Sequence, residues 1–318
     1  MVSEPLVDLE EIRAAARRIA GRVHRTPLMT ARSLSAEAGC PLVLKAELFQ
    51  RTGSFKARGA LNCLLQLGAD ELERGVISLS AGNHAAALAF AAREVGTTAL
   101  IVMPATASAA KVDATRAYGG TVLQTAEDLL AVTRREQESR GLTLVHPFDD
   151  RRVIAGAGTV GLELAEDAPD LDVVVVPVGG GGLVSGVAAA LPGVQVVGVE
   201  PSGANGMSLS LAAGEAVSLV PRTVADGLAA PFAGVLTLRH VQAHVDRVLE
   251  VSDEAIRHAT RLLYSRSKLA AEPSGAAGLA AVLSHPEAFR GRRVGLVVTG
   301  GNIAPALAAE ILLDSGGG

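Results

Sequence analysis

Short apolar, β-branched runs recur along this chain, separated by longer segments rich in alanine, leucine and charge. The runs fall at 42–44, 76–79, 99–103, 121–123, 142–145, 173–178, 194–199 and 294–298. Most are continuously apolar and do not alternate with polar residues, the pattern of strands covered on both faces. Segments 84–95, 127–140, 253–264 and 303–313 have the composition of helices. This strand-helix beat predicts an α/β protein with parallel sheets. Eight units would also suit a closed barrel, but 200–247 drops the beat. Two open, mostly parallel twisted sheets flanked by helices are therefore expected. A length of 318 residues suits about two domains. No segment has linker composition, so the division must be discontinuous or turn on a short hinge.

Composition narrows the function. Lys and Arg total 29 against 33 Asp and Glu, a net charge of −4, so no basic footprint for nucleic acid or anionic lipid is present. The two cysteines, Cys40 and Cys63, form no disulfide framework and lack metal-ligand spacing, which suits a reducing, cytoplasmic setting. Segment 8–23 carries Asp8, Glu10 and Glu11 ahead of Arg13, Arg17 and Arg18. It reads as an amphipathic helix with acids in its first turn, not a secretion signal. The apolar stretch from Val173 is broken by Pro177, four glycines and Ser185, so its pieces are too short to span a bilayer. The final Ser-Gly-Gly-Gly reads as a frayed end.

Glycine-bearing polar loops follow three of the apolar runs: Ser80–His84 (SAGNH), Gly179–Gly182 (GGGG) and Thr299–Asn302 (TGGN). In open parallel sheets ligands bind beyond the carboxyl ends of the strands. Four glycines leading into a helix-like segment suit an anion such as phosphate. They suit a plain strand-to-helix turn equally well. No nucleoside-triphosphate loop is present. Gly156, Gly158 and Gly161 spell G-x-G-x-x-G without a strand before them, and they read as a helix start. Lys56, taken alone, reads as a solvent lysine. Beside a phosphate cradle it acquires a second reading, as the amine that holds a phosphate-bearing aldehyde cofactor. His84 has no second His or Cys at metal-ligand spacing, which leaves a structural or substrate-orienting role.

These motifs, in this order, carry a resemblance. The stretches SFKARGALN at Ser54, SAGNHAAALA at Ser80, KVDATRAYGG at Lys111, HPFDD at His146 and VIAGAGTVGLEL at Val153 are joined by VPVGGGGLVSG at Val176, GVEPSGA at Gly198, TVADGL at Thr223, EPSGAAGLAAV at Glu272 and TGGN. Together they resemble the fold-type II (tryptophan synthase β-like) pyridoxal phosphate enzymes, specifically the serine/threonine dehydratase and serine racemase group in its short form without a regulatory domain. The resemblance implies a large cofactor domain from 1–67 and 150–318, with a small domain at 68–149. It implies that Lys56 binds the aldehyde and that Phe55 lies beside the cofactor ring. Asn83 would reach the ring hydroxyl, Gly179, Gly180, Gly181, Gly182 and Leu183 the phosphate, and Thr299 the pyridine nitrogen. Glu272 would lie near the cofactor. Ser80, Ala81, Gly82, Asn83 and His84 would grip the substrate carboxylate.

The implied activity is β-elimination from a β-hydroxy amino acid, with L-threonine or L-serine as default substrate. A neutral hydroxyl at Thr299 cannot stabilise a protonated pyridine as a carboxylate would, which favours prompt loss of a β-substituent. In family racemases a Ser stands where this chain has Ala81, and Ala has no proton to give. Alternatives are a racemase, a dehydratase of hydroxyaspartate or phenylserine, a synthase adding a nucleophile, and an idle sensor on the same scaffold. A divalent cation held in some members maps to Glu200, Ala204 and Gly206, and Gly206 offers no carboxylate. A homodimer is implied by the resemblance alone. Ala86 and Ala157 replace residues commonly polar in the group.

Overall fold

The computed structural model describes residues 5–314. Ten strands form two sheets: β1 Leu28–Thr30, β2 Leu42–Ala46, β3 Val76–Leu79, β4 Ala99–Pro104, β5 Thr121–Thr125, β6 Thr143–Leu144, β7 Val173–Pro177, β8 Gln195–Pro201, β9 Arg247–Val251 and β10 Val294–Val298. The larger sheet runs β1-β2-β10-β7-β8-β9 and the smaller β5-β4-β3-β6. All pairings are parallel except β1 with β2. The expectation of two open, mostly parallel sheets is met, and the final Ser-Gly-Gly-Gly lies outside the described residues.

Burial explains why the apolar runs were continuous. β2, β7 and β10 are buried at every position. Alternate side chains serve opposite faces: Leu42, Leu44, Val173, Val175, Leu296 and Val298 enter one core. Val43, Val174, Val176 and Val297 enter the other. The smaller sheet repeats this, with Val76, Ile101 and Met103 on one side and Ile77, Leu100 and Val102 on the other. Two strands were not expected from the sequence. β1 has three residues, and β9 is exposed at Arg247 and Glu250 and fully buried only at Val251. Both are edge strands, and an edge lacks the double-sided apolar signal.

The G-x-G-x-x-G stretch is not a helix start. The helix Arg151–Asp167 begins five residues earlier, capped by the Asp150 carboxylate on Arg152 N and Val153 N, and the three glycines lie in its interior. A Cβ at Gly158 would stand 2.8 Å from Gly186 O and 2.9 Å from Ile12 Cδ1, and one at Gly161 would stand 2.8 Å from Ala190 Cβ. These glycines let the helices Leu9–Ile19 and Gly182–Ala190 pack at close range. The first of those helices is capped by Asp8, with Glu11 reaching back to complete a capping box.

A buried charged cluster fixes the helix Lys56–Leu64, whose first residue is the lysine singled out above. Arg58, 1% exposed, gives two hydrogen bonds of 2.8 Å to Glu47 and bonds of 2.6 and 2.9 Å to Glu163. Lys45 reaches Glu163 at 2.6 Å. Two cations and two carboxylates thus join β2, this helix and the helix Arg151–Asp167. Removing one partner from such a set strands a buried charge, a cost of about 3–5 kcal/mol. Among the described residues, no helix is long and apolar enough to cross a membrane.

Candidate active site

The site forms where the carboxyl ends of β10 and β7 meet the loop after β3. Lys56 follows a tight turn in which Thr52 has φ 63° and Gly53 φ 74°. The left-handed region is costly for a β-branched residue, and three ties hold the segment in place. Phe55 N donates to Thr299 O at 3.1 Å, Gly301 N to Gly53 O at 3.0 Å, and Ser54 bridges Gly300. The Lys56 amine lies 5.1 Å from the Phe55 ring centroid and donates to Pro147 O at 2.8 Å. Burial lowers its pKa to about 8.

The glycine run flanks the next residue along. A Cβ at Gly180 would collide with the Phe148 ring, and one at Gly182 would stand 2.9 Å from Phe148 O. The lysine amine and the glycine turn therefore border one dipeptide, Pro147–Phe148. Gly181 takes φ 96° as the turn enters the helix Gly182–Ala190, and no side chain caps that helix. The amides of its first turn are thus left unclaimed by side chains, a donor set suited to an anion. Thr237 Oγ1 donates to Gly180 O at 2.6 Å and steadies the turn. The Leu183 side chain belongs to the core that takes Val43, Val174, Val176 and Val297.

The smaller sheet supplies the opposite wall. Gly82 N donates to Ser80 Oγ at 3.2 Å, and the helix Asn83–Val95 follows with Gly82 at its cap and no side-chain cap. Asn83 Nδ2 donates to Glu272 Oε1 at 2.7 Å. Glu272 is 3% exposed; burial, then neighbouring Asp226, raise its pKa to about 7, against the Asn83 hydrogen bond. His84 is buried, and desolvation followed by the charge of Lys56 lowers its pKa to about 3. It is therefore neutral, and its Nδ1 has no partner. His146 Nδ1 accepts from Asp149 N at 2.8 Å, and burial lowers its pKa.

The structure thus gathers Phe55, Lys56, Thr299, Gly179–Gly182, Ser80–His84 and Glu272 around one cleft. It also adds residues to which the sequence assigned no role: Ser54, His146, Pro147, Phe148 and Asp226. Their motifs SFK, HPFDD and VADG were visible as words, but no spacing rule ties a proline carbonyl at 147 to an amine at 56.

Glu200 is occupied elsewhere. Its Oε1 accepts from Met207 N at 2.8 Å, and its Oε2 accepts from Ser208 N and Ser208 Oγ at 2.9 Å each. It thereby caps the helix Gly206–Ala213 from β8. With Glu200 committed to N–H and O–H donors and Gly206 bringing no carboxylate, the set at Glu200 and Ala204 does not fit a hard cation. Among the described residues no group of three or more His, Cys, Asp or Glu is placed to hold a metal.

The residues present fit pyridoxal phosphate. Three buried side-chain atoms around Lys56 lack partners, namely Thr52 Oγ1, Ser54 Oγ and His84 Nδ1. They stand with a shielded amine and an uncapped glycine turn, the donor set for a phosphate-bearing aldehyde. Fold and site define an α/β enzyme of amine chemistry. Residues 7–300 match the family described as pyridoxal-phosphate dependent enzyme, and the chain belongs to it. It is 43% identical to the serine racemase of Oryza sativa, covering 93% of this chain and 91% of that protein. It is also 43% identical to the L-threonine ammonia-lyase of Thermotoga maritima, over 94% of this chain and 76% of the relative. An L-threo-3-hydroxyaspartate ammonia-lyase of a Pseudomonas species is 41% identical, covering 94% and 96%. Among solved structures, maize serine racemase superposes with a TM-score of 0.92 at 41% identity, over 97% of this chain and 98% of that one.

Proposed function

We propose that this protein dehydrates and deaminates a β-hydroxy amino acid, L-threonine or L-serine by default, to 2-oxobutanoate or pyruvate plus ammonia. One observation carries this reading: the amine of Lys56, shielded from water, shares the Pro147–Phe148 dipeptide with an uncapped glycine turn. Pyridoxal phosphate, when bound, supplies the electron sink that makes the Cα–H bond of an attached amino acid acidic. Lys56 would hold it through its amine, and the amides of Gly179–Leu183 would receive its phosphate. Asn83, Phe55, Glu272 and Thr299 would line the cofactor, Thr299 offering a hydroxyl and no charge.

Lys56 then acts as base. With a pKa near 8, roughly a tenth of its amine is free at pH 7, enough to accept the Cα proton at Nζ. The Cβ–O bond breaks, and the hydroxyl leaves as water, so that the proton taken from Cα and the hydroxyl together make up the water lost. The released enamine adds water back as it loses ammonia, so the net products are the 2-oxo acid and ammonium. The substrate carboxylate is received by the loop Ser80–His84, carried on the smaller sheet within residues 68–149, which serves as the small domain. Neutral His84 adds no second positive charge there.

Ala81 bears on the alternative. Racemisation requires a proton donor on the face opposite Lys56, and a methyl group supplies none, so elimination dominates. Incubation with L-serine, L-threonine, hydroxyaspartate and phenylserine, with assays for 2-oxo acid, ammonia and D-isomer, tests this directly. Borohydride should fix the cofactor on Lys56 as a mass shift of its peptide. Fast D-serine formation with little pyruvate would refute the dehydratase reading and install the racemase. The variant Ala81→Ser should gain D-serine production over the parent. Buried free Cys40 and Cys63 suit a reducing cytoplasm, and a homodimer carries over from the family resemblance; size-exclusion with light scattering checks the latter.

A further inference from the structure

Asn302 ends the TGGN loop after β10, and nothing so far gives it a task. Its side-chain Nδ2 donates to Thr52 O at 2.7 Å and to Asn83 Oδ1 at 2.7 Å. Asn83 passes its own Nδ2 to Glu272 Oε1 at 2.7 Å. Glu272 in turn accepts the backbone N–H of Asn302. The three residues close a ring in which each donor meets an acceptor. Residues 83 and 302 come from opposite sheets, 219 positions apart.

The ring admits one amide orientation. Turned over, Asn302 would aim its Oδ1 at two carbonyl-type acceptors, Thr52 O and Asn83 Oδ1. Asn83 turned over would aim its oxygen at the Glu272 carboxyl and its NH2 at that of Asn302. Network consistency decides such assignments. The seat for Asn302 is also built in: a Cβ at Gly53 would stand 2.5 Å from Asn302 Oδ1, so only glycine leaves it room.

We propose that Asn302 is a positioning residue that fixes the Asn83 amide with its NH2 toward Glu272 and ties the Ser80–His84 loop to the larger sheet. Asn302 touches no reacting atom and works through Asn83. This rests on the reading of Ser80–His84 as the substrate carboxylate grip. A packing role would be served by any side chain of the same shape; the tether needs the NH2 group itself.

The experiment compares parent, Asn302→Ala and Asn302→Asp holoenzymes on whichever of L-serine or L-threonine is turned over. Aspartate keeps the shape but sets oxygen against Thr52 O and Asn83 Oδ1. Asn302→Ala should raise KM about fivefold, the size of one lost hydrogen bond, with kcat changed less. Asn302→Asp, though isosteric, should be worse, tenfold or more. Amide hydrogen exchange of the substrate-free holoenzyme should quicken in the peptide spanning 80–84 and stay unchanged across β10, which controls for folding. Parent-like KM and exchange in Asn302→Asp would overturn the tether. So would slower turnover in both variants accompanied by faster exchange throughout. Faster loop exchange with unchanged KM would instead overturn the grip on which the proposal rests, so the two failures are distinguishable.

Discussion

Lys56 holds its amine in a shielded place where it donates to the carbonyl of Pro147, and this has a thermodynamic consequence. Burial lowers the pKa from 10.5 in the open chain to about 8. The unfolded chain therefore binds this proton more tightly than the folded one. In cofactor-free protein the resulting penalty is complete below pH 8 and vanishes as pH rises through 10.5. Its size at pH 7 is on the order of 2–3 kcal/mol, allowing for residual hydration. Lys56→Met should abolish turnover yet make the cofactor-free protein more stable than the parent at pH 7, by that order. The gap should close between pH 8 and 10.5. Urea denaturation of both cofactor-free forms checks this, and a variant less stable than the parent at pH 7 would overturn it. From the sequence alone Lys56 was indistinguishable from a solvent lysine; only the glycine run and the ordered motifs singled it out. Asn302 was less legible still, because its role lies in contacts to Thr52 and Asn83 that no local pattern encodes.

Among the elements, the interior glycines of the helix Arg151–Asp167 do what their spacing does not announce. Gly158 faces Gly186 O and Ile12, with an added Cβ 2.8 Å from that oxygen. The oxygen belongs to the helix that begins at the glycine turn, so the contact cannot relax without moving the site. Gly158→Ala should therefore destabilise the protein by about 1–3 kcal/mol, the usual cost of overpacking, even though alanine is the better helix former. It should also weaken pyridoxal phosphate binding, measured by absorbance titration. Unchanged stability and affinity would mean that the two helices slide apart freely. The same contrast shows where sequence reading works. Strands β2, β3, β4, β7, β8 and β10 announced themselves because most of their positions are buried, while the edges β5 and β6 were legible from their apolar and β-branched residues despite partial exposure. The edges β1 and β9 were not, since β1 is only three residues long and β9 places Arg247 and Glu250 in water. Gly156, Gly158 and Gly161 formed a visible word whose meaning, close packing of helices, depends on neighbours more than 20 positions away.

Across the whole molecule, the helices Lys56–Leu64 and Asn83–Val95 share a core beneath the two sheets, and an ion pair at the surface adds a further link. Lys111, on the helix Ala109–Ala117 beside the smaller sheet, reaches Asp226 at 2.7 Å with side chains 41% and 59% exposed. Asp226 opens the turn Asp226–Leu228, and Leu228 Cα would stand 3.2 Å from a Cβ at Gly179. The pair thus links the smaller sheet's helix to the turn that abuts Gly179. Exposed pairs contribute about 0–1 kcal/mol, so Lys111→Ala should leave global stability nearly unchanged. Because the proposed substrate grip is carried on the smaller sheet, a tie between the two sheets would bear on KM, where 1 kcal/mol corresponds to about fivefold. Lys111→Ala should therefore raise KM by up to about fivefold at low salt. The difference should disappear near 1 M salt, where the Debye length is about 3 Å. Lys111→Asp should be worse than alanine, and combining it with Asp226→Lys should restore much of the loss. If parent and Lys111→Ala gave the same KM at every ionic strength, the pair would be a bystander, and the link between the sheets would rest on the Asn83 contacts to Glu272 and Asn302 and on the shared core.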